Sequence, residues 1–260
     1  MSVLSYLRSL GSALTLSCDE RASIATSINT LQARLNAFDT QNDIKYHYKF
    51  GSYDRGTILP RRYDAHSDVD YMIVFKDPFK AQPQSRLNWI KRFANGKYQR
   101  SEIHQDYPTI VLELNHIRFE LVPAVEMGSS INLQIPAPHN ILLSWIYTNP
   151  NQFLDATQQA NKRYHSEFKP LVRILKYWNV LNGRPYSSCI LEYHLATTWL
   201  FGINLEDYFY SAVRNLPSSN LSEQELAAVN SLKQKVAKIK NYHEVNSEGM
   251  AEQLVRELFQ

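Results

Sequence analysis

Two aspartates, Asp68 and Asp70, lead directly into the apolar run Tyr71–Phe75, and this arrangement constrains the chain more than any other. A short run of Tyr, Met, Ile, Val and Phe reads as a buried strand. Side chains alternate faces along a strand, so carboxylates at i and i+2 share a face, roughly 7 Å apart. Aspartate is depleted in strands, and two on one face repel each other unless a counter-charge is present. A divalent cation removes that conflict, and carboxylate oxygens suit Mg²⁺. A pair of such ions about 3.5–4 Å apart can clamp an in-line displacement at phosphorus. Upstream lies Gly51-Ser52, a small pair whose backbone N–H groups can wrap a phosphate. The competing reading is a turn-rich loop with solvated aspartates at a strand mouth.

Length and composition narrow the class. The 260 residues suit one large domain or two closely joined lobes. Hydrophobic residues at 44% and charged residues at 20% are ordinary for a globular chain, and a net charge of +3 is compatible with polyanionic nucleotides without requiring them. Cys18 and Cys189 have no metal-type spacing and are expected as free thiols in a reducing cytosol. No basic segment followed by an unbroken apolar core opens the chain, which argues against a signal peptide. The longest apolar region, Cys189–Leu205, is interrupted by Glu192 and His194 and reads as a buried helix, not a membrane span.

Along the chain, Val3, Leu4, Leu7 and Leu10 form one helical stripe that Gly11 is expected to end. Ser17 and Glu20 make a capping box for a long amphipathic helix through Ile24, Ile28, Leu31, Leu35 and Phe38. Alternation over Asp43–Phe50 predicts a strand that delivers the chain to Gly51. Arg55, Arg61 and Arg62 in the following loop are open to two readings, solvated side chains or contacts to a triphosphate or nucleic acid. His66 is read as a loop residue, since Mg²⁺ prefers oxygen. A helix is expected over Ser85–Asn95, and Lys91, Arg92, Lys97 and Arg100 beside it read as a solvated basic face.

Thr109–Leu114 and Ile117–Val122 flank Asn115-His116 and predict a hairpin. Alternation places Arg118, Glu120 and Val122 on one face, making Glu120 the candidate third carboxylate, with Glu113 as its rival. Such a group beside an attacking hydroxyl lowers its pKa and can accept its proton. Pro136 and Pro138 mark a break. Ser166–Asn179 then places Phe168, Leu171, Leu175 and Trp178 at helical spacing, with Lys169, Arg173 and Lys176 on a second stripe. That stripe is either a solvated row or a grip on a triphosphate. Ser187 or Ser188 precedes another helix and can cap it. Tyr208, Phe209 and Tyr210 read as core, and Ser222 with Glu225 caps a helix through Ile239. A last helix is expected over Glu248–Phe259.

These motifs together resemble the polymerase-β-like nucleotidyltransferases, whose pattern is GS, then D-x-D, then a third acid on a later strand. The wording GSYDRGTILP, the helix before it, FELVPA and LKYWN resemble more closely the bacterial cyclic-oligonucleotide synthases, or CD-NTases, related to cyclic GMP-AMP synthase and oligoadenylate synthase. The resemblance covers most of the chain. It implies an α/β fold with a nucleotidyltransferase catalytic lobe (1–140, with its bracing helix) and a helical lobe (141–260) that completes a cleft for two NTPs. It implies that Gly51 and Ser52 hold the donor triphosphate, and that Asp68, Asp70 and Glu120 hold two Mg²⁺ ions, replaceable by Mn²⁺. Lys176 and Ser188, with Ser187 close by, would contact the leaving phosphates. Many relatives carry aspartate where Glu120 stands. The position that stacks on the donor base in some relatives is Cys189 here, leaving Tyr186 or Tyr193 as substitutes.

The same resemblance implies a cytoplasmic, monomeric, pyrophosphate-releasing enzyme that makes a cyclic di- or oligonucleotide messenger for an antiphage effector, with an RNA or protein activator left open. The alternatives are a transferase that tails RNA or tRNA, a linear oligonucleotide synthase, and a binding module that has lost the reaction.

Overall fold

A computed structural model describes residues 2–76, 81–126, 133–137 and 144–260. Its contacts divide the chain into two units. The sheet unit comprises Ser17–Arg61 and Ala65–Leu154, and the helical unit comprises Met1–Leu16, Arg62–Asp64 and Asp155–Gln260. The fold is mixed α/β, as expected.

The sheet unit begins with α2 (Cys18–Phe38), which follows α1 (Val3–Ala13) of the helical unit. The expected capping box is present: Ser17 Oγ accepts from Glu20 N, and the Glu20 carboxylate accepts from Ser17 N at 2.7 Å. A cap of this kind contributes about 1 kcal/mol. Next come β1 (Ile44–Phe50), α3 (Gly51–Arg55), β2 (Asp68–Phe75) and α4 (Pro83–Lys97). They are followed by β3 (Ile103–Asp106), β4 (Thr109–Glu113), β5 (Arg118–Glu126), β6 (Leu133–Pro136) and β7 (Trp145–Thr148). Among the described residues the strands form one sheet in the order β1-β2-β5-β4-β3, with β6 paired to β5 and β7 to β6. Only the β2–β5 pair is parallel; the others are antiparallel. The predicted hairpin is β4–β5, closed where Leu114 N donates to Ile117 O.

The parallel register sets the two faces of the sheet. Val69 pairs with Phe119 and Tyr71 with Leu121, on the side where α2 and α4 pack. There the Trp89 ring stands edge-on to Phe75 at 5.4 Å and to Phe38 at 5.1 Å. Phe75 and Phe93 are fully buried in this layer, each worth about 1.5–3 kcal/mol by removal from water. The opposite side carries Asp68, Asp70 and Glu120 at the strand entrances, then a small apolar cluster of Met72, Val74, Val122 and Ala124. One sheet face therefore fixes the fold and the other is left for carboxylates.

The helical unit contains α1 and most of α5 (Pro150–Arg163), then α6 (Phe168–Leu181), α7 (Ser188–Thr197), α8 (Leu205–Arg214), α9 (Glu223–Glu244) and α10 (Glu248–Glu257). Pro170 falls in the first turn of α6, where no backbone donor is needed. Gly11 does not end α1. It lies inside the helix, and a side chain there would meet Pro170 Cβ at 3.1 Å. Its smallness serves the packing of α1 on α6. Tyr208 and Phe209 are buried as core, while Tyr210 is half-buried, and the Ser222–Glu225 capping box forms. Periodicity does not predict β3, β6, β7 or α5. Pro136 sits within the β6–β7 pairing, opposite Trp145; Pro138 lies outside the described residues.

Candidate active site

Parallel pairing of β2 and β5 builds the site. Asp70 is the register partner of Glu120, and Asp68 of Arg118. Asp68 and Asp70 thus share one end of one sheet face with Glu120, which lies 50 residues beyond Asp70 in sequence.

Gly51 has a role beyond flexibility. It adopts φ +70°, and a Cβ at this position would stand 1.7 Å from Asp70 Oδ2. Only glycine permits both the left-handed backbone and the close seating of the Asp70 carboxylate. Ser52 follows in the five-residue α3, and its carbonyl accepts from Thr57 N and Ile58 N.

Burial pushes the Glu120 carboxyl up to about 7. The charge of Asp68 pushes it the same way, as does a hydrogen bond to Asp68 that only protonated Glu120 can donate. Arg118 opposes the shift, donating from Nη2 to Glu120 Oε1 at 2.9 Å. Arg118 is shared, with Glu113 at 3.8 Å and Asp106 at 3.7 Å. Its half-buried guanidinium thus holds Glu120 in place and limits the repulsion between the acids. Glu113, the rival acid, lies between Arg118 and Arg61, the latter at 3.7 Å. Neither Arg118's bridging role nor its acidic neighbour Asp106 follows from sequence spacing, because the contacts depend on β3, β4 and β5 being adjacent.

The donor chemistry fits a hard divalent cation. The three acids offer oxygens only, and the repulsion that the Asp68 charge exerts on Glu120 is one a cation would relieve. As the side chains stand, no group of three or more His, Cys, Asp or Glu among the described residues is arranged to hold a metal ion. One Glu120 oxygen is occupied by Arg118. The backbone has brought the acids together while their side chains remain engaged with protein partners.

The loop arginines divide. Arg61 donates to Ala65 O at 2.9 Å and to Leu114 O at 3.4 Å, holding the loop before β2. Arg55 is buried, its guanidinium 6.0 Å from the Phe153 ring centre. Arg62 belongs to the helical unit, donating to Ala13 O at 3.2 Å. The face with Arg92, Lys97 and Arg100 is exposed, as read from the sequence.

In the helical unit, Arg173 and Lys176 are not on a solvated row: both are buried within α6. Burial pushes Arg173 down to about 10, and its Nη2 donates to Gly11 O at 3.4 Å. Ser187 is the N-cap of α7, accepting from Ile190 N, and Ser188 is the first residue of that helix. Tyr186 is a core residue, its hydroxyl donating to Pro217 O at 2.5 Å. Tyr193 is half-buried, and Cys189 is exposed.

A sequence model described as the Second Messenger Oligonucleotide or Dinucleotide Synthetase domain matches residues 1–161. The chain belongs to this family. The CD-NTase resemblance is therefore borne out. A cyclic AMP-AMP-AMP synthase from an Acinetobacter strain is 26% identical over 155 residues. The match takes in 58% of this chain and 44% of that relative, so it spans less than half of the curated protein's length. Among solved structures, E. coli CdnC with ATP superposes with a TM-score of 0.72 at 14% identity, covering 100% of this chain and 98% of that one. A Bradyrhizobium diazoefficiens CD-NTase, CdnG in complex with GTP, gives 0.71 at 12% identity over 97% and 96% of the two chains. Vibrio cholerae DncV, a cyclic AMP-GMP synthase, gives 0.65 at 14% identity over 82% and 68%. These likenesses establish the fold. Among the described residues, no helix is long and apolar enough to cross a membrane.

Proposed function

We propose that the chain is a metal-dependent nucleotidyltransferase that joins NTPs into a cyclic di- or oligonucleotide second messenger. The observation that carries this reading is the pairing of Asp70 with Glu120 beside Asp68, with glycine required at position 51 to seat Asp70. Membership of a family of oligonucleotide synthetases supports assigning nucleotidyl transfer to these acids.

Asp68, Asp70 and Glu120 would hold Mg²⁺, or Mn²⁺ in its place. Bound there, the ions would neutralise phosphate charge and lower the pKa of the attacking ribose hydroxyl. The chain's own contribution is positioning, which dominates phosphoryl transfer. Gly51 leaves room for the Asp70 carboxylate, and Arg118 orients Glu120 through Oε1. With a cation held there Glu120 would be deprotonated, and its carboxylate could accept the proton of the acceptor hydroxyl. The hydroxyl oxygen forms a bond to the α-phosphorus, and pyrophosphate leaves. A second round on the linear product closes a ring. By the same resemblance Gly51 and Ser52 hold the donor triphosphate, while Lys176, Ser187 and Ser188 engage the leaving phosphates.

ATP and GTP are natural first substrates to try, since relatives are solved with each. A protein activator is a fitting expectation, because E. coli CdnC is solved in complex with a HORMA protein. The product would activate an antiphage effector.

The test is incubation with all four NTPs and Mg²⁺ or Mn²⁺, followed by phosphatase treatment and mass spectrometry. A phosphatase-resistant product that disappears in Asp68→Ala and Asp70→Ala supports the reading. Label transferred only to added RNA, or a linear product alone, would instead assign the same chemistry to tailing or linear synthesis. Retention of full activity in Asp70→Ala would remove the site.

A further inference from the structure

Between α7 and α8 the segment 198–204 presents large apolar side chains to water. Trp199, Phe201 and Ile203 are 60%, 62% and 86% exposed, whereas Leu200 between them is buried at 2%. This display is fixed by the backbone and is not a frayed loop. Leu200 N donates to Tyr164 Oη at 2.9 Å, Phe201 N to Ser211 Oγ at 3.0 Å, and Ile203 N to Asp207 Oδ2 at 3.0 Å. Gly202 stands at φ +128°, and a Cβ there would lie 2.0 Å from Asp207 Cβ. This pinned segment therefore holds three apolar side chains exposed within five residues.

A cavity of about 440 Å³ adjoins this segment, lined on that side by Phe201 and Gly202. Its apolar wall includes Val213 and Val236, which are buried, together with Ala237 and the Tyr210 ring. Arg214, Lys233 and Lys240 line it against one carboxylate, Asp207, which is already engaged by Ile203 N. Lys233 donates to Leu216 O at 2.7 Å, and Lys240 lies 3.8 Å from Glu244 with both side chains largely exposed. The Arg214 side chain has no hydrogen bond or ion pair among the described residues. Arg163, distant in sequence, lies over the Trp199 ring at 5.3 Å, adding a further cation to the patch.

A contiguous exposed apolar patch marks an interaction surface more often than chance, and aromatic side chains with arginine are the usual anchors of protein interfaces. We infer that this face of the helical unit docks a segment of a partner protein that inserts one aliphatic or aromatic side chain into the cavity and flanks it with carboxylates. The rim cations supply the charge complementarity. The volume is that of a formed pocket, ample for one large side chain. Single-stranded nucleic acid is the less favoured occupant: the exposed Ile203 and the Val236 and Ala237 of the cavity are aliphatic groups on which a base cannot stack.

The probe is a short fluorescein-labelled peptide with a single leucine flanked by glutamates, titrated against the full chain by anisotropy without NTPs, so the outcome is independent of the synthase reading. Controls are the same peptide with lysine flanks, one with serine in place of leucine, and an oligouridylate competitor. The glutamate-flanked peptide is expected to bind, more weakly at higher salt. Arg214→Glu, Lys240→Glu and Phe201→Ser are each expected to weaken it about tenfold, with unchanged circular dichroism and thermal midpoint. The inference is overturned if the lysine-flanked or serine peptide binds equally well, if no acidic peptide binds, or if the variants leave binding unmoved. It is likewise overturned if oligouridylate occupies the face, or if sedimentation shows self-association that Phe201→Ser abolishes. Those two outcomes would assign the surface to RNA or to a second copy of the chain.

Discussion

Replacing Glu120 by glutamine should stabilise the metal-free protein at alkaline pH. Burial and the Asp68 carboxylate raise the Glu120 carboxyl from its ordinary 4.5 to about 7. A carboxyl raised in the folded state binds more protons there than in the unfolded chain between those two values. Stability is therefore fully present below pH 4.5 and is lost as pH rises through the folded pKa. The upper limit of that loss is the shift multiplied by about 1.4 kcal/mol per unit, so about 3 kcal/mol at pH 8 and under about 1 kcal/mol at pH 5. Glutamine keeps the shape and a hydrogen-bonding oxygen toward Arg118 but cannot ionise. The charge-assisted contact to Arg118 at 2.9 Å is weakened at both pH values, so the absolute change mixes two effects. The difference between pH 8 and pH 5 isolates the ionisation. Urea melts of both proteins in chelator should show Glu120→Gln gaining about 2 kcal/mol relative to wild type on going from pH 5 to pH 8. Added Mg²⁺ should recover stability in the wild type far more than in the variant, because only the native acid set gains a ligand. A stability difference that is flat with pH would show that Glu120 is not crowded by Asp68. The proposed metal site would lose its physical basis.

Gly51→Ala should abolish NTP incorporation, since the new methyl group must displace the Asp70 carboxylate and strain a backbone at φ +70° by about 1–3 kcal/mol; full activity at unchanged thermal midpoint would refute this. Arg118→Met removes the charge that holds Glu120 down, so the acidic limb of the pH–rate profile should move to higher pH than in the wild type; an unmoved limb rejects Arg118 as a positioning residue. Lys176→Met exchanges a buried cation for an apolar chain of similar length, and if Lys176 engages triphosphate the KM for NTP should rise about tenfold in protein that still folds. Unfolding of that variant, or an unchanged KM, would make Lys176 structural.

Much of the architecture is legible in local patterns. Ser17–Glu20 and Ser222–Glu225 announce helix starts because a cap is a contact between residues three apart. The β4–β5 hairpin and the strand after Asp68 follow from alternation and a two-residue turn. The short strands β3, β6 and β7 carry no such signal, since their hydrogen bonds come from partners supplied by the rest of the sheet. Gly11 reads as a helix stop, and only the approach of Pro170 shows it to be a packing residue.

By itself, the order of residues placed two carboxylates on one strand face, nominated Glu120 as a third, and pointed to phosphate chemistry through residues two positions or a few turns apart. Tertiary structure alone decided that Glu120 faces Asp68, that Arg118 steadies it, that Gly51 is the space Asp70 occupies, and that Arg173 and Lys176 are buried. Spacing encodes which way a side chain points along its own strand or helix. Which groups crowd one another, and hence how their protons are held, depends on strands brought together from distant parts of the chain.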